Sequence, residues 1–150
     1  MRATWILVAD RGGARLFSGD IHKLTLIQDF PHAEGRLKDH EIDSDKPGRS
    51  FDSVGSARHA EGSDRKPSIN LANEFAHTLA QMLEKGRTDH RYDRLVLVAD
   101  RKFLGRLRAS ISSDTARLVR GTLDKDLSGI SARDLPAHLK ELLEPVVSVS

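Results

Sequence analysis

Two aspartates, Asp10 and Asp100, stand in a repeated motif, Val-Ala-Asp-Arg, and each ends a hydrophobic run. Carboxylates that meet at one edge of a sheet can hold a divalent cation and activate water, as in two-metal nucleases. Glu74 is a candidate third carboxylate, and His59 is a candidate for moving protons. The alternative is structural, because aspartate also fixes tight turns and caps helices. The motif therefore predicts either a hydrolase site or two side chains that hold the local backbone.

A long polar segment at residues 31–68 carries a second set of candidate residues. It holds three Pro, four Gly and fifteen charged residues, and it shows no helical or strand period. Such a composition buries too little apolar surface to offset ordering entropy, so we expect a loop that is mobile in the free protein and partly ordered by a partner. An exposed Phe51 flanked by Arg49, Arg58 and His59 could stack a base and hold phosphates. Alternatively, Phe51 folds back and anchors the loop.

Positive charge is concentrated between residues 87 and 120. The whole chain has a net charge of +2, but this span has nine Lys and Arg against four Asp. A local excess of cations around one strand and helix is typical of a surface that contacts phosphates. The candidate contacts are Arg101, Lys102, Arg106 and Arg108. The alternative is an ordinary solvated helix face.

Composition argues against several other kinds of site. With no cysteine, the 150-residue chain has no disulfide or thiolate metal site. No pair among its seven histidines has the spacing of a zinc site, and the phosphate-binding glycine motifs are missing, so we expect no metal and no cofactor. The first apolar run is too short for a signal peptide, and none approaches the roughly 20 residues of a membrane span. We therefore expect a cytoplasmic protein without membrane insertion.

The elements that must position these residues follow from the hydrophobic pattern. Strands are predicted at residues 4–9, 14–17, 24–27, 95–99 and 118–123. A helix is predicted over 71–83, capped by Ser68 or Asn70 and ended by Gly86. A second helix follows Asp100, and a third follows a capping box at Ser131, starting late or bending because of Pro136.

This order predicts a single α/β domain spanning residues 1–150 with a mixed five-stranded sheet. Short links favour antiparallel hairpins among the first three strands, and right-handed crossovers then place strand 4 beside strand 1. The expected order is 3-2-1-4-5, the arrangement of ribonuclease-H-like sheets. It brings Asp10 and Asp100 to one edge, where ligands bind in open α/β sheets.

Seven motifs together resemble a bacterial family named for a protein required for attachment to host cells. They lie at residues 5–10, 14–17, 30–36, 45–52, 75–76, 92–99 and 123–127. The resemblance covers residues 3 to 143. The family is in turn similar to the middle domain of the archaeal and eukaryotic peptide-chain release factor, whose Gly-Gly-Gln loop precedes a long helix. That motif is missing here, because neither Gln28 nor Gln81 follows a glycine pair.

Three hypotheses for function remain open. The first is a non-catalytic module that associates with RNA or the ribosome, as the release-factor resemblance implies. The second is a hydrolase, either a metal-dependent nuclease or a tRNA-ester hydrolase, that uses Asp10 and Asp100. The third is a cytoplasmic adaptor that binds a protein partner. The oligomeric state is left open by the sequence.

Overall fold

The computed structural model describes residues 3–20, 22–32 and 67–143. Five strands form one sheet: β1 Thr4–Asp10, β2 Gly13–Gly19, β3 Leu24–Pro31, β4 Arg94–Ala99 and β5 Val119–Leu123. Two longer helices are α1 Pro67–Thr88 and α2 Arg101–Ser110, and three single-turn helices are α3 Ser113–Ala116, α4 Leu135–His138 and α5 Lys140–Leu143. The sheet order is β3-β2-β1-β4-β5, which confirms the predicted α/β topology.

The central strands are buried on both faces. β1 and β4 run parallel and in register, and each alternates its side chains between two apolar clusters. On one face, residues such as Leu7 and Leu97 pack with α1 and α2. On the other, Val8 and Val98 pack with the buried leucines of the C-terminal turns, Leu135 and Leu139. This two-sided burial explains why both strands are almost uniformly apolar.

Helix α1 is longer than predicted, and the interpretation of Gly86 was wrong. Gly86 lies inside the helix, where a Cβ atom would come within 2.6 Å of the Trp5 ring. The helix ends instead at Thr88, and the chain turns at His90, which has a φ of 58°. The amide of His90 donates to Arg87 O at 3.0 Å, and that of Arg91 donates to Gly86 O at 2.8 Å. This is a Schellman motif in which histidine takes the position that glycine usually occupies.

The polar segment is shorter at both ends than the predicted 31–68. Strand β3 continues through Pro31, and α1 already begins at Pro67. The predicted last helix is divided into α4 and α5, which meet at Leu139. The amide of Asp134 donates to Ser131 Oγ at 3.3 Å, and Pro136 lies in the first turn, as the late start predicted.

Candidate functional site

The carboxyl ends of β1 and β4 bring the two predicted aspartates to the same edge of the sheet. Ala9 pairs with Ala99, so Asp10 and Asp100 follow paired positions. Asp10 is only 7% exposed, and its Oδ1 accepts the Gly12 amide at 2.8 Å. Asp100 is the N-cap of α2, and its Oδ2 accepts the Phe103 amide at 3.2 Å. Both carboxylates therefore hold local backbone, as the structural alternative predicts.

A metal-binding cluster is not assembled in the described part of the chain. Across residues 3–20, 22–32 and 67–143, no group of three or more His, Asp or Glu side chains is placed to hold an ion. Glu74 lies on the exposed side of α1. His59, the candidate proton carrier, falls outside the described residues. The hydrolase hypothesis stays a prediction.

His32 is a residue at this edge that the sequence analysis did not single out. Its ring stacks on Phe75 of α1 with centroids 4.2 Å apart and planes 2° apart. Its Nδ1 lies 2.7 Å from the carbonyl oxygen of Arg11, which can only accept, so Nδ1 carries the donated proton. The end of β3 is thereby fixed to both the β1–β2 turn and α1. The only sequence signal was the Phe-Pro-His motif in the resemblance.

The four basic residues predicted on the second helix do come together. Helix α2 buries Phe103, Leu104 and Leu107 against the core. The side of the helix away from the core carries the set that we call the α2 basic face, of which all but the half-buried Arg106 are exposed: Arg101, Lys102, Gly105, Arg106, Arg108 and Ala109. At 3.6 residues per turn, Arg101 and Arg108 lie on one flank of this face and Lys102 and Arg106 on the other. Gly105 lies between the two flanks.

Carboxylates neutralise little of this face. The Arg101 guanidinium lies 3.9 Å from Asp124, with side chains 88% and 54% exposed, so water screens the pair. Arg106 donates to Asn73 Oδ1 at 2.8 Å, which positions its charge without cancelling it. Lys102 and Arg108 form no ion pair with any residue that the structure describes. The described residues therefore leave most of the positive charge of this face uncompensated.

A shallow groove runs along each flank of α2. The first, of about 400 Å³, lies toward β5 and is lined by Arg101, Leu104, Gly105, Arg108, Thr122 and Asp124. The second, of about 680 Å³, lies toward α1 and is lined by Asn73, Lys102, Gly105, Arg106, Ala109 and Ser110. Each groove has two cations on its wall, and Gly105 borders both.

Three features of α2 work against its own stability. Arg101 and Lys102 stand in the first turn, where the helix dipole disfavours cations. Lys102 and Arg106 are like charges at i and i+4, which is destabilising by about 0.2–0.5 kcal/mol. Gly105 in the helix interior costs about 1 kcal/mol relative to alanine. Residues that destabilise their own helix and cluster on one surface are typical of a functional site.

Three other cations of the positive segment 87–120 lie against a carboxylate or an aromatic ring. Arg87 donates two hydrogen bonds to Glu84, the shorter at 2.7 Å, and Arg117 pairs with Asp114 at 3.1 Å. The Arg91 guanidinium lies 5.7 Å from the centroid of the Trp5 ring. Of the predicted contacts, Arg49, Phe51, Arg58 and His59 lie outside the described residues. The structure thus places the four helix cations together and leaves the predicted loop contacts untested.

Glu84 is the centre of a contrasting, fully paired network. Its Oε1 accepts hydrogen bonds from Ser112 Oγ and the buried Thr115 Oγ1, each at 2.9 Å. These hydrogen bonds join α1 to α3. Hydrogen bonds from Arg87, Ser112 and Thr115, in decreasing order of effect, lower the pKa of Glu84 to about 2. Beside it, burial raises the pKa of Tyr92 to about 12. This cluster stabilises the fold and leaves no cation for a ligand.

Comparison with known families places the chain. A family model described as "Protein required for attachment to host cells" matches residues 5–139. The match covers most of the chain, so the chain belongs to this family. Among curated proteins, none matches it significantly. In the described ranges, no helix is long and apolar enough to cross a membrane.

Proposed function

We propose that this member of the host-attachment family binds RNA, without catalysing a reaction on it, through the α2 basic face. The observation that carries the proposal is the placement of four cations on the exposed side of one ten-residue helix that bears no carboxylate of its own. Nucleic acid is an abundant cellular polyanion, and its phosphates bind to clusters of Lys and Arg. The grooves on both flanks supply concave surface beside the cations.

The chemistry of the face fits phosphates better than isolated carboxylates. Three of its four cations are arginines, whose planar guanidinium can donate two parallel hydrogen bonds to one phosphate. Arg106 is already held by Asn73, so less side-chain freedom is lost when it meets a ligand. This pre-positioning supports binding without requiring a deep pocket.

Binding by the described part of the chain is directed at the backbone of RNA and not at its bases. Sequence-tolerant stacking needs an exposed aromatic ring. The described rings of Trp5, Phe17, Phe75, Tyr92 and Phe103 are all buried, and that of Phe30 is partly buried. We therefore propose phosphate contacts with little base preference, to which Arg49, Phe51, Arg58 and His59 of segment 33–66 would add stacking and further contacts.

The proposed ribosome or RNA association also accords with the resemblance to the release-factor middle domain, which is itself part of this proposal. Peptidyl-tRNA hydrolysis by a glutamine loop is not proposed, since Gln28 and Gln81 lack the preceding glycine pair. A nuclease site at Asp10 and Asp100 is not favoured either, because both carboxylates accept backbone amides. The adaptor hypothesis, in which the protein binds a protein partner and not RNA, is one of the outcomes that a pull-down with and without ribonuclease can give.

The test measures binding of the full-length protein to fluorescein-labelled RNA by fluorescence anisotropy at low ionic strength. We use an unstructured oligouridylate and an RNA hairpin, and we incubate the same RNAs with Mg²⁺ to detect cleavage. Saturable binding without cleavage supports the proposal. No binding to either RNA, or cleavage that Asp10→Asn abolishes, contradicts it.

A parallel pull-down from bacterial lysate, with and without ribonuclease, distinguishes the adaptor. Partners that are lost after ribonuclease treatment are bridged by RNA, as the proposal expects. A partner that is retained at full level after ribonuclease, together with no binding to the labelled RNAs, would establish the adaptor hypothesis in its place.

A further inference from the structure

Gly105 occupies an unusual position at the middle of the α2 basic face. It is exposed, it lies in the interior of a ten-residue helix, and it borders both grooves. A Cβ atom at this position would have nothing within 4 Å outside its own helix, among the residues the structure describes. The space above the helix backbone at this point is open.

The reasons that explain other glycines do not apply to Gly105. At Gly86 and Gly121, an added Cβ would come within 2.6 Å of the side chains of Trp5 and Leu142. At Gly13 and Gly19, positive φ values of 156° and 148° favour glycine. Gly105 has ordinary helical geometry and no close neighbour, so alanine there would give a more stable helix. Its absence of a side chain is therefore not required by the described fold.

We infer that a single strand of RNA crosses helix α2 at Gly105 and runs from one groove into the other. This inference rests on the proposed function and adds the path of the ligand. Arg101 and Arg108 hold the strand on the β5 side, and Lys102 and Arg106 hold it on the α1 side. At Gly105 the sugar–phosphate backbone comes close to the helix backbone, as glycine allows where a ligand approaches a main chain closely.

A flexible strand suits this surface better than a duplex. To reach both pairs of cations, the ligand must bend over the helix and dip into a groove on each side. A single strand can do so, whereas an A-form duplex is stiff and its deep, narrow major groove does not admit side chains. A side chain at position 105 would lift the strand away from cations on both flanks at once.

The test compares Gly105→Leu with the wild type and with Gly129→Leu. Gly129 is a matched control, because it is also exposed, has no positive φ, and would place its Cβ in open space. It lines neither groove. Anisotropy with the labelled oligouridylate measures affinity, and thermal unfolding measures stability. Gly105→Ala is included because it adds one carbon and favours the helix.

We expect Gly105→Leu to bind oligouridylate about tenfold more weakly, equivalent to losing one or two phosphate contacts. Gly105→Ala should bind more weakly than wild type while unfolding at an equal or higher temperature, and Gly129→Leu should bind like wild type. If a Gly105 variant binds more weakly while its stability is unchanged or raised, unfolding cannot be the cause. Such a result supports the proposed path of the strand over α2.

Each contrary result has a separate meaning. If the wild type binds neither oligouridylate nor hairpin, the proposed function fails. If the wild type binds and both Gly105 variants bind equally well, the crossing is wrong and the proposed function stands. If the hairpin binds more tightly than oligouridylate and loses affinity equally in Gly105→Leu, the ligand is a duplex and the single-strand path is wrong.

Discussion

Two parts of the same positively charged segment differ in how closely carboxylates approach their cations. At the junction of α1 and α3, Arg87 and Arg117 lie against Glu84 and Asp114 at 2.7 and 3.1 Å. On the α2 basic face, the closest ion pair among the described residues joins Arg101 to Asp124 at 3.9 Å between mostly exposed side chains. Net charge along a sequence therefore does not locate a binding surface. What locates it is where the compensating carboxylates are placed in three dimensions.

The two regions also differ in what their residues favour: the junction favours a stable fold, and the α2 basic face favours ligand binding. The junction satisfies its polar groups, since one carboxylate accepts hydrogen bonds from three different side chains. The α2 face gathers like charges, places cations at a helix N-terminus and includes a glycine. Changes at the junction should therefore alter folding, and changes on α2 should alter binding.

The largest effect is expected when three cations of the α2 face are removed together. We predict that Arg101→Gln/Lys102→Gln/Arg108→Gln lowers RNA affinity roughly a hundredfold near 0.1 M salt, because about three counterions are no longer released. Stability should be unchanged or higher, since repulsion is relieved. Anisotropy titration and thermal unfolding measure the two quantities.

The matched control removes the same charge elsewhere. Lys23, Lys85 and Arg133 are exposed and lie outside both grooves. Replacing all three by glutamine gives the same net charge as the α2 triple variant. An equal loss of affinity in the two triple variants would mean that only net charge matters and that α2 is not the binding surface.

The next effect concerns stability at the junction. Thr115 is fully buried, and its hydroxyl donates to Glu84 Oε1 at 2.9 Å. Thr115→Val keeps the shape and removes that hydrogen bond, so we predict a loss of about 1–3 kcal/mol in the free energy of unfolding. Denaturant unfolding measures it, with Thr78→Val on the exposed side of α1 as control. RNA affinity should not change, and a parallel loss of affinity would break the division between the two regions.

Glu84 makes the stability of the junction depend on pH. Its pKa is lowered from 4.5 to about 2 in the folded protein, so the ionised form favours folding. The contribution is fully present above pH 4.5 and is lost as the pH falls through about 2. Glu84→Gln should therefore be less stable than wild type at neutral pH, with the difference shrinking across that range. A difference that stays constant down to pH 2 would exclude ionised Glu84 as its source.

The smallest effect should come from Asp124, the carboxylate that lines the groove toward β5. Asp124 is half-exposed and competes with phosphate for Arg101. Because exposed ion pairs contribute about 0–1 kcal/mol, Asp124→Asn should raise RNA affinity about two- to fivefold. Asp126→Asn, a nearby control outside the grooves, should leave affinity unchanged. A fall in affinity with Asp124→Asn would show that Asp124 contacts the ligand.

Topology was predictable because its signals are local and redundant. The apolar runs of β1 and β4, the short links between the first three strands and the handedness of crossovers together lead to the observed sheet order. The N-cap role of Asp100 was equally accessible from its position before an apolar helix pattern. By contrast, the end of α1 was mispredicted because Gly86 packs against Trp5, which is 81 residues away in sequence.

The candidate site was only partly predictable. The four cations of α2 could be named because they are close in sequence. Their division into two flanks, the two grooves and the open space above Gly105 depend on how α1 and β5 pack beside the helix. The Glu84 network was missed because two of its donors, Ser112 and Thr115, lie 28 and 31 residues away from it in sequence, and no local pattern signals that they meet.

The salt dependence of RNA binding measures how many phosphates the cations of α2 contact. If the four cations of α2 each neutralise one phosphate of a single strand, they should contribute a slope of about −3 to a plot of log affinity against log salt concentration. The triple variant at Arg101, Lys102 and Arg108 should make the slope shallower by about 2, and the control triple variant should keep the wild-type slope. Wild-type binding that is indifferent to salt, or a slope unchanged in the α2 triple variant, would contradict the account.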